Sequence, residues 1–230
     1  GQARENEGFM LSYLLPNHSA YAETCAAIAF AFFSHRLLQA DLDSKYADFI
    51  ELEMYNGILA GVSLSGDKMF YENPLALNPK KRKYQRSEWF VCSCCPNNLT
   101  RFYGALGQYF ISKSLNNNVI AINQFGSYSI SLELGSETIE LKMESGFPWD
   151  GIVNLEVNST QPKEFTIAIR IPGWCKNYSV SVDNQNITKD SKSQIHKGYM
   201  YINRIWNLHS KISIEFEMRT QILRSHPEVK

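Results

Sequence analysis

The stretch Ser114-Leu115-Asn116-Asn117-Asn118-Val119-Ile120-Ala121-Ile122 divides the chain of 230 residues into two parts with different periodicities. Before this stretch, apolar residues recur at the three- and four-residue spacing of helices. After it, short β-branched runs alternate with turn residues. Three consecutive asparagines interrupt both patterns, as a loop does. The sequence therefore predicts a boundary near residues 113–116, which gives two domains, 1–114 and 115–230.

The first domain is predicted to be helical. One helix covers the nearly continuous apolar run 21–40, and a second helix is capped by Asp43 or Ser44. Pro96 suits the first turn of a third helix. Three helices that are apolar on most sides need further packing partners, so we expect the chain to be the C-terminal portion of a longer protein.

The second domain is predicted to consist of short strands separated by Asn, Gly, Ser and Pro. This pattern is typical of an antiparallel β-sandwich. The predicted strands are 119–122, 127–134, 138–143, 152–157, 165–171, 178–182, 199–202 and 212–218. The sequence thus predicts a mixed fold, all-α followed by all-β.

The composition argues against two classes of partner. Lys plus Arg and Asp plus Glu each number 23, so no net charge favours nucleic acid or an anionic membrane surface. No apolar run has the length of a membrane span, and residues 1–7 are too polar for a signal peptide. We therefore expect no nucleic-acid and no membrane partner, and the sequence leaves the oligomeric state open.

Three of the five cysteines lie in Cys92-Ser93-Cys94-Cys95, immediately before Pro96. Cysteines this close in sequence do not suit an ordinary disulfide framework, so metal binding or catalysis explains them better. At a helix start, Cys94 and Cys95 lie in a field that favours anions and lowers thiol pKa values. Reduced thiols are most common in the cytoplasm, although bound zinc protects them elsewhere too.

Glu23 and Cys25 can add two further ligands to this cluster. Three thiolates and one carboxylate suit a soft divalent cation, above all zinc, and their charges need such a cation. Because residues i and i+2 of a regular helix point to different faces, this pair must lie at a helix start or in an irregular turn. Judged by itself, Cys25 is more simply a small core residue.

The remaining acidic residues and histidines give weaker signals. Glu7, taken alone, has the features of a solvated surface residue. Glu51 and Glu53 lie in the middle of a predicted helix, where one of them can face inward. His18 and His35 lack the spacing of metal ligands and are interpreted as structural.

Several motifs resemble glycoside hydrolase family 127, whose founding activity is β-L-arabinofuranosidase. The Glu-Thr-Cys-Ala and Cys-x-Cys-Cys-Pro motifs are the most specific, and the resemblance spans essentially the whole chain. The matching segments are Leu15-Pro16-Asn17, Tyr21-Ala22-Glu23-Thr24-Cys25-Ala26, Tyr55-Asn56-Gly57-Ile58-Leu59-Ala60-Gly61, Cys92-Ser93-Cys94-Cys95-Pro96-Asn97-Asn98, Phe147-Pro148-Trp149-Asp150-Gly151 and Ile169-Arg170-Ile171-Pro172-Gly173-Trp174.

The resemblance implies the C-terminal part of an (α/α)6 barrel followed by an antiparallel, jelly-roll-like β-sandwich. It also implies a Zn²⁺ cofactor bound by four side chains, with one of them, Cys94, acting as the nucleophile. The implied ligands are Glu23, Cys25, Cys94 and Cys95.

The same resemblance assigns roles to three further residues. Glu7 matches the general acid/base, with the family's spacing to the Glu-Thr-Cys motif, and Glu51 and Tyr71 match positions that contact the sugar. The implied reaction is a retaining hydrolysis of β-L-arabinofuranosides from plant polysaccharides or glycoproteins, which releases L-arabinofuranose. Glu7 and Cys94 are then expected about 5–5.5 Å apart, with a raised pKa for Glu7.

Three alternatives stay open. The chain can belong to a glycosidase for another acidic or deoxy pentose-type sugar, to a noncatalytic carbohydrate-binding module with a structural zinc site, or to a redox-sensing protein with a metal-free thiol cluster. Because an (α/α)6 barrel has many more helices than the three predicted here, we expect the isolated chain to be inactive or nearly so.

Overall fold

A computed structural model of the chain describes residues 2–3, 8–78, 80, 85–114, 118–188 and 195–229. The predicted combination of helices and strands is confirmed. In the described residues the α-helices are α1 (Thr24–Ala40), α2 (Ser44–Leu52) and α3 (Cys94–Gly104). A π-helix (Glu53–Ile58) and a 3-10 turn (Leu59–Gly61) extend α2, and a second 3-10 turn covers Leu106–Tyr109.

The irregular end of α2 coincides with a close approach between two chain segments. A Cβ atom at Gly57 would lie 2.8 Å from the Cβ atom of Ala27 in α1 and 2.3 Å from Oε2 of Glu53. Only glycine leaves room for this contact. The side-chain amide of Asn56 donates to the carbonyl of Leu52 (2.9 Å), which supports the same turn. The π-helix can therefore lie directly against α1.

Thirteen strands are present in the described residues. Eight of them correspond to the eight predicted runs, and their ends differ from the predicted ends by at most four residues. Their bounds are β1 (Gln2–Ala3), β2 (Gly8–Phe9), β3 (Ile111–Ser114), β4 (Val119–Ile122), β5 (Tyr128–Leu134), β6 (Glu137–Ser145), β7 (Ile152–Ser159), β8 (Lys163–Arg170), β9 (Tyr178–Val182), β10 (Gln185–Asn186), β11 (Ile195–His196), β12 (Tyr199–Trp206) and β13 (His209–Phe216).

Eleven of these strands form two sheets. The six-stranded sheet has the order β10-β9-β13-β7-β6-β5 and is antiparallel throughout, and the five-stranded sheet has the order β11-β12-β8-β4-β3. In the second sheet β4 pairs with β8 in parallel, so the expectation of purely antiparallel pairing is wrong at this pair. Between β4 and β8 the chain runs through β5, β6 and β7 of the other sheet, and a parallel pair requires such a crossover.

Both sheets contribute side chains to one hydrophobic core. In β6, Ile139, Leu141 and Met143 are buried, whereas the intervening Glu140 and Lys142 are exposed. The same core includes buried residues of β4, β8 and β12 from the five-stranded sheet. Burial of one large aliphatic side chain contributes about 1.5–3 kcal/mol, so this shared core is the main stabilising feature of the two sheets.

The chain divides into two compact units. The first unit comprises Gly1–Arg36, Phe49–Leu106 and Gln221–Lys230, and the second comprises Leu37–Asp48 and Gly107–Thr220. The second unit thus contains both sheets of the core together with a short segment from the helical region.

The helices of the first unit bury only part of their apolar surface. Ile28, Ile58 and Phe102 are buried, whereas Phe33 is 58% exposed and Leu52 is 55% exposed. This distribution agrees with the sequence, in which apolar residues occupy most sides of these helices. Within the described residues, no helix combines the length and the apolar character that a membrane crossing requires.

A buried arginine joins the parts of the second unit. The Arg170 side chain is fully buried, and its guanidinium donates to Oδ1 of Asp48 (2.5 Å) and to the carbonyl of Asn123 (2.5 Å). The guanidinium also contacts Oε1 of Gln124 (3.4 Å), and Oδ2 of Asp48 accepts from the backbone N–H of Gly173 (3.1 Å). These bonds tie the Leu37–Asp48 segment to β8 and its neighbours.

Replacing Asp48 by alanine should destabilise the chain by about 2–4 kcal/mol, because it removes a carboxylate that pairs with a buried guanidinium. Urea unfolding followed by tryptophan fluorescence measures this loss. Lys142→Ala is the matched control, since Lys142 pairs with Glu144 at the surface of the same unit, and it should leave the midpoint unchanged. Equal midpoints for Asp48→Ala and the unmodified chain would contradict the assigned role of Asp48.

Candidate active site

Backbone pairing fixes the position of Glu23 and Cys25. Residue Glu23 lies immediately before α1 and forms an isolated antiparallel bridge with Glu72, and the N–H of Thr24 donates to the carbonyl of Tyr71 (2.9 Å). Cys25 follows in the first turn of α1. The pair therefore lies at a helix start, which is the arrangement that its i, i+2 spacing requires.

Cys94 and Cys95 are the first two residues of α3, and Pro96 follows them in the first turn. The sequence-based placement of these cysteines at a helix start is thus confirmed. Ser93, with φ of −103° and ψ of 18°, precedes the helix in a non-helical conformation. Both thiols consequently lie where unpaired backbone N–H groups and the helix dipole favour negative charge.

The structure brings Glu23, Cys25, Cys94 and Cys95 together. Their four donor atoms all lie within 4.8 Å of one another. Oε1 of Glu23 is 3.3 Å from Sγ of Cys95 and 3.7 Å from Sγ of Cys94, and the Sγ atoms of Cys94 and Cys95 are 4.0 Å apart. Glu23 and Cys95 are buried, whereas Cys25 and Cys94 are partly accessible.

This donor set fits a zinc ion. Tetrahedral zinc with Zn–S bonds of about 2.3 Å holds its sulfur ligands about 3.8 Å apart, close to the separations among these side chains. Thiol-rich donor sets select soft or borderline cations over Mg²⁺ and Ca²⁺, which prefer oxygen. We conclude that Glu23, Cys25, Cys94 and Cys95 can hold one such cation.

Burial determines the protonation of the thiols when no cation is bound. It raises the pKa of Cys25 to about 11, although a hydrogen bond from Asn98 acts in the opposite direction. Burial also raises the pKa of Cys95 above the ordinary thiol value. Both thiols therefore keep their protons at neutral pH, and a cation must displace these protons when it binds.

Tyr71 lies directly beside the cluster. Its hydroxyl oxygen is 2.9 Å from Sγ of Cys94 and 3.6 Å from Sγ of Cys92, and its ring packs against Phe90 with centroids 5.7 Å apart. The hydrogen bonds with Cys94 and then Cys92 raise the pKa of the Tyr71 hydroxyl. The hydroxyl therefore stays protonated and can donate a hydrogen bond to the Cys94 sulfur. The expected contact of Tyr71 with a sugar stays a prediction.

The predicted acidic residues have different outcomes. Glu51 is buried in α2 and is not one of the four clustered donors, so its contact with a sugar stays a prediction. Glu53 is half-buried, and burial raises the pKa of its carboxyl group. Glu7, predicted to be the general acid/base, lies outside the described residues.

Two residues that the sequence analysis left without a role contact the cluster. The side-chain amide of Asn98 donates to Sγ of Cys25 (3.3 Å), and Sγ of Cys92 lies 3.7 Å from Sγ of Cys94. Asn98 follows Cys94 by four residues on α3, so the same-face rule for helices could have identified it. Cys92 precedes the helix, where no such periodicity applies.

Comparison with family profiles gives two matches that together cover most of the chain. A profile described as the catalytic domain of "Beta-L-arabinofuranosidase, GH127" matches residues 1–108. A second profile, described as the GH127 middle domain, matches residues 119–218.

Individual relatives agree with these profiles. A non-reducing end β-L-arabinofuranosidase of Bifidobacterium longum subsp. longum is 28% identical over 242 residues, covering 100% of this chain and 36% of the relative. The crystal structure of a GH127 β-L-arabinofuranosidase from Geobacillus stearothermophilus T6 has a TM-score of 0.92 and 36% identity. A solved GH127 β-arabinofuranosidase has a TM-score of 0.88 and 35% identity. Each of the two structures matches 100% of this chain, which spans only 37% of their length.

The first measurement on this cluster is zinc per chain by elemental analysis after chelator-free purification. We expect about one zinc ion per chain in the unmodified protein and a strong loss in Cys25→Ala, because Cys25 supplies one of four ligands. Cys175→Ala is the matched control, since Cys175 is a buried thiol of the second unit. Equal zinc contents in the two variants would exclude Cys25 as a ligand.

Zinc affinity should rise with pH. Because the pKa of Cys25 is about 11 without a cation, protons occupy this thiol throughout the neutral range and compete with the metal. Raising the pH removes that competition, so the apparent affinity should increase at least about tenfold per pH unit between about pH 6 and 8. Competition with a chromophoric chelator, corrected for the chelator's own titration, measures the slope. A pH-independent affinity would contradict thiol ligation.

Proposed function

Because the chain belongs to glycoside hydrolase family 127, we propose that it carries the nucleophile and the metal ligands of a retaining β-L-arabinofuranosidase. The enzyme releases L-arabinofuranose from β-L-arabinofuranoside glycans. Two relatives whose names state β-L-arabinofuranosidase activity support the substrate class. The observation that carries the mechanism is the position of the Cys94 sulfur, which lies in the four-donor cluster and 2.9 Å from the Tyr71 hydroxyl.

We further propose that residues 1–114 are the C-terminal part of an (α/α)6 barrel and that residues 115–230 form a β-sandwich domain. The boundaries of the matching catalytic-domain and middle-domain profiles support this division. The shared core of the five- and six-stranded sheets supports the sandwich, because two sheets packed face to face bury one common core.

In the first step of the proposed reaction, Sγ of Cys94 forms a bond to the anomeric carbon while the bond to the leaving oxygen breaks. The transition state resembles an oxocarbenium ion, and Glu7 gives its proton to the leaving oxygen. The role of Glu7 is supported only by its match to the sequence motif.

In the second step, the Glu7 carboxylate takes a proton from water. The water oxygen forms a bond to the anomeric carbon while the carbon–sulfur bond breaks, which restores Cys94 as a thiolate. Each step inverts the anomeric carbon, so the product keeps the configuration of the substrate.

The nucleophile needs to be a thiolate at neutral pH. Glu23, Cys25, Cys94 and Cys95 would hold a zinc ion, whose positive charge would keep these thiols deprotonated. Tyr71 then orients the Cys94 sulfur by donating a hydrogen bond from its hydroxyl group. Tyr71 and Glu51 are proposed to contact the sugar ring, because the family resemblance places them at positions that contact the sugar.

Replacing Cys94 by serine should lower kcat for an aryl β-L-arabinofuranoside by at least about 10³-fold, because serine lacks the nucleophilic sulfur. The substitutions should be made in the protein as its source organism expresses it, because this chain spans 37% of the length of a solved relative. Cys175→Ser is the control and should keep full activity. If Cys94→Ser keeps its activity and loses only stability, the cluster is a structural zinc site.

A Glu7→Gln variant should accumulate the covalent intermediate. An aryl leaving group departs without a proton, so the first step continues, whereas the second step lacks its base. Mass spectrometry of the quenched reaction should then show one sugar residue on the tryptic peptide Ser87–Arg101, attached to Cys94. A sugar residue on a carboxylate instead would assign the nucleophile elsewhere.

A further inference from the structure

Cys92 is an exposed thiol that touches the four-donor cluster without belonging to it. Its sulfur lies 3.7 Å from Sγ of Cys94, which is van der Waals contact, and 3.6 Å from the Tyr71 hydroxyl. It is the one exposed cysteine among the described residues. Neither metal binding by the four donors nor the proposed reaction requires this sulfur.

We propose that Cys92 is an oxidation site at which hydroperoxides convert Cys92 and Cys94 into a disulfide, which withdraws Cys94 from the four-donor cluster. The disulfide itself is independent of the proposed function, whereas its effect on metal binding rests on the proposed metal ligands. Only the resulting loss of catalysis depends on the role of Cys94 as nucleophile.

The local backbone allows the two sulfurs to approach each other. The two sulfurs of a disulfide are about 2.05 Å apart. The sulfurs of Cys92 and Cys94, now 3.7 Å apart, must therefore approach by about 1.7 Å, which rotation of the Cys92 side chain can supply. Because α3 begins at Cys94 and Ser93 is not helical, Cys92 belongs to the loop and can turn without unwinding the helix. Its exposure also gives a peroxide direct access to the sulfur.

Cys95 is the less suitable partner for Cys94. Its sulfur is farther away, at 4.0 Å, and its side chain is fully buried. Both residues lie within α3, and adjacent helical side chains point in different directions. Oxidation should therefore select Cys92 over Cys95.

The reaction balances in two steps. The Cys92 thiol attacks one oxygen of the hydroperoxide, giving a sulfenic acid and releasing an alcohol, or water when the oxidant is hydrogen peroxide. The Cys94 thiol then attacks the sulfenic sulfur, which releases water and forms the disulfide. Two thiols are oxidised and one peroxide is reduced, and a dithiol reductant reverses the result.

The test is differential alkylation of the chain after graded treatment with hydrogen peroxide. Free thiols are blocked with one reagent, disulfides are reduced, and the new thiols receive an isotopically distinct reagent. The tryptic peptide Ser87–Arg101 contains Cys92, Cys94 and Cys95, so fragmentation of one peptide identifies the oxidised pair. We expect the second label on Cys92 and Cys94, with Cys95 carrying the first label.

In a Cys92→Ser variant, oxidation of Cys94 to a disulfide should be at least about tenfold slower, because the thiol in contact with Cys94 is removed. Cys175→Ser is the matched control and should keep the rate of the unmodified chain. Zinc release, followed with a chromophoric chelator, is the second readout, and it should accompany disulfide formation and reverse with dithiothreitol. The Cys92→Ser variant should retain zinc through the same treatment.

Three outcomes would overturn the proposal. They are a disulfide between Cys94 and Cys95, oxidation of Cys94 at an unchanged rate in Cys92→Ser, and conversion of Cys92 to sulfinic acid without a disulfide. Failure of the proposed function alone gives a different result. In that case the unmodified chain would still form the Cys92–Cys94 disulfide, and the Cys94→Ser variant would keep its catalytic activity.

Discussion

Four acidic groups, those of Glu23, Cys25, Cys94 and Cys95, have their donor atoms within 4.8 Å of one another. Two like charges about 4 Å apart repel by about 4 kcal/mol at an effective dielectric constant of about 20. The cluster can therefore exist in two states, one in which protons stay on Cys25 and Cys95 and one in which a cation replaces these protons. The raised pKa values of Cys25 and Cys95 describe the first state, and the proposed zinc complex is the second. The chemistry proposed for this site depends on the exchange between these two states.

The cluster is held by backbone contacts between segments that are far apart in sequence. Thr24 and Ala22 exchange hydrogen bonds with Tyr71 and Asn73, which fixes the start of α1 against the Tyr71 segment. The Asn73 amide reinforces this arrangement by donating to Oγ1 of Thr24 and to the carbonyl of Gly57. These bonds use main-chain atoms and the side chains of Thr24 and Asn73, so they hold the two segments together without using any of the four donor atoms. Such preorganisation lowers the cost of binding a cation, since the ligands are already near their positions.

The sequence predicted the parts of this fold that arise from local patterns. Two strands, β4 and β9, begin and end at their predicted residues, because short β-branched runs between turn residues are a strong local signal. The strand β3 was missed, since Phe110 and Ile111 continue the apolar series of the preceding helix. The parallel pairing of β4 with β8 depends on long-range register, and no local pattern specifies it. In the site, Pro96 placed Cys94 and Cys95 correctly, whereas the approach of Glu23 to them could be expected only from the family resemblance.

The proposed function gives Cys94 two roles with opposing requirements. As a ligand it shares its electron pairs with a cation, which keeps it deprotonated but makes it a weaker nucleophile. In the proposed reaction its sulfur would become a thioether, which is a poorer ligand than a thiolate, so the remaining donors would have to hold the cation. Glu23, Cys25 and Cys95 supply three donors for this purpose, and the burial of Glu23 and Cys95 protects them from solvent. A set of four donors would thus still leave three side chains to hold a cation if Cys94 serves as the nucleophile.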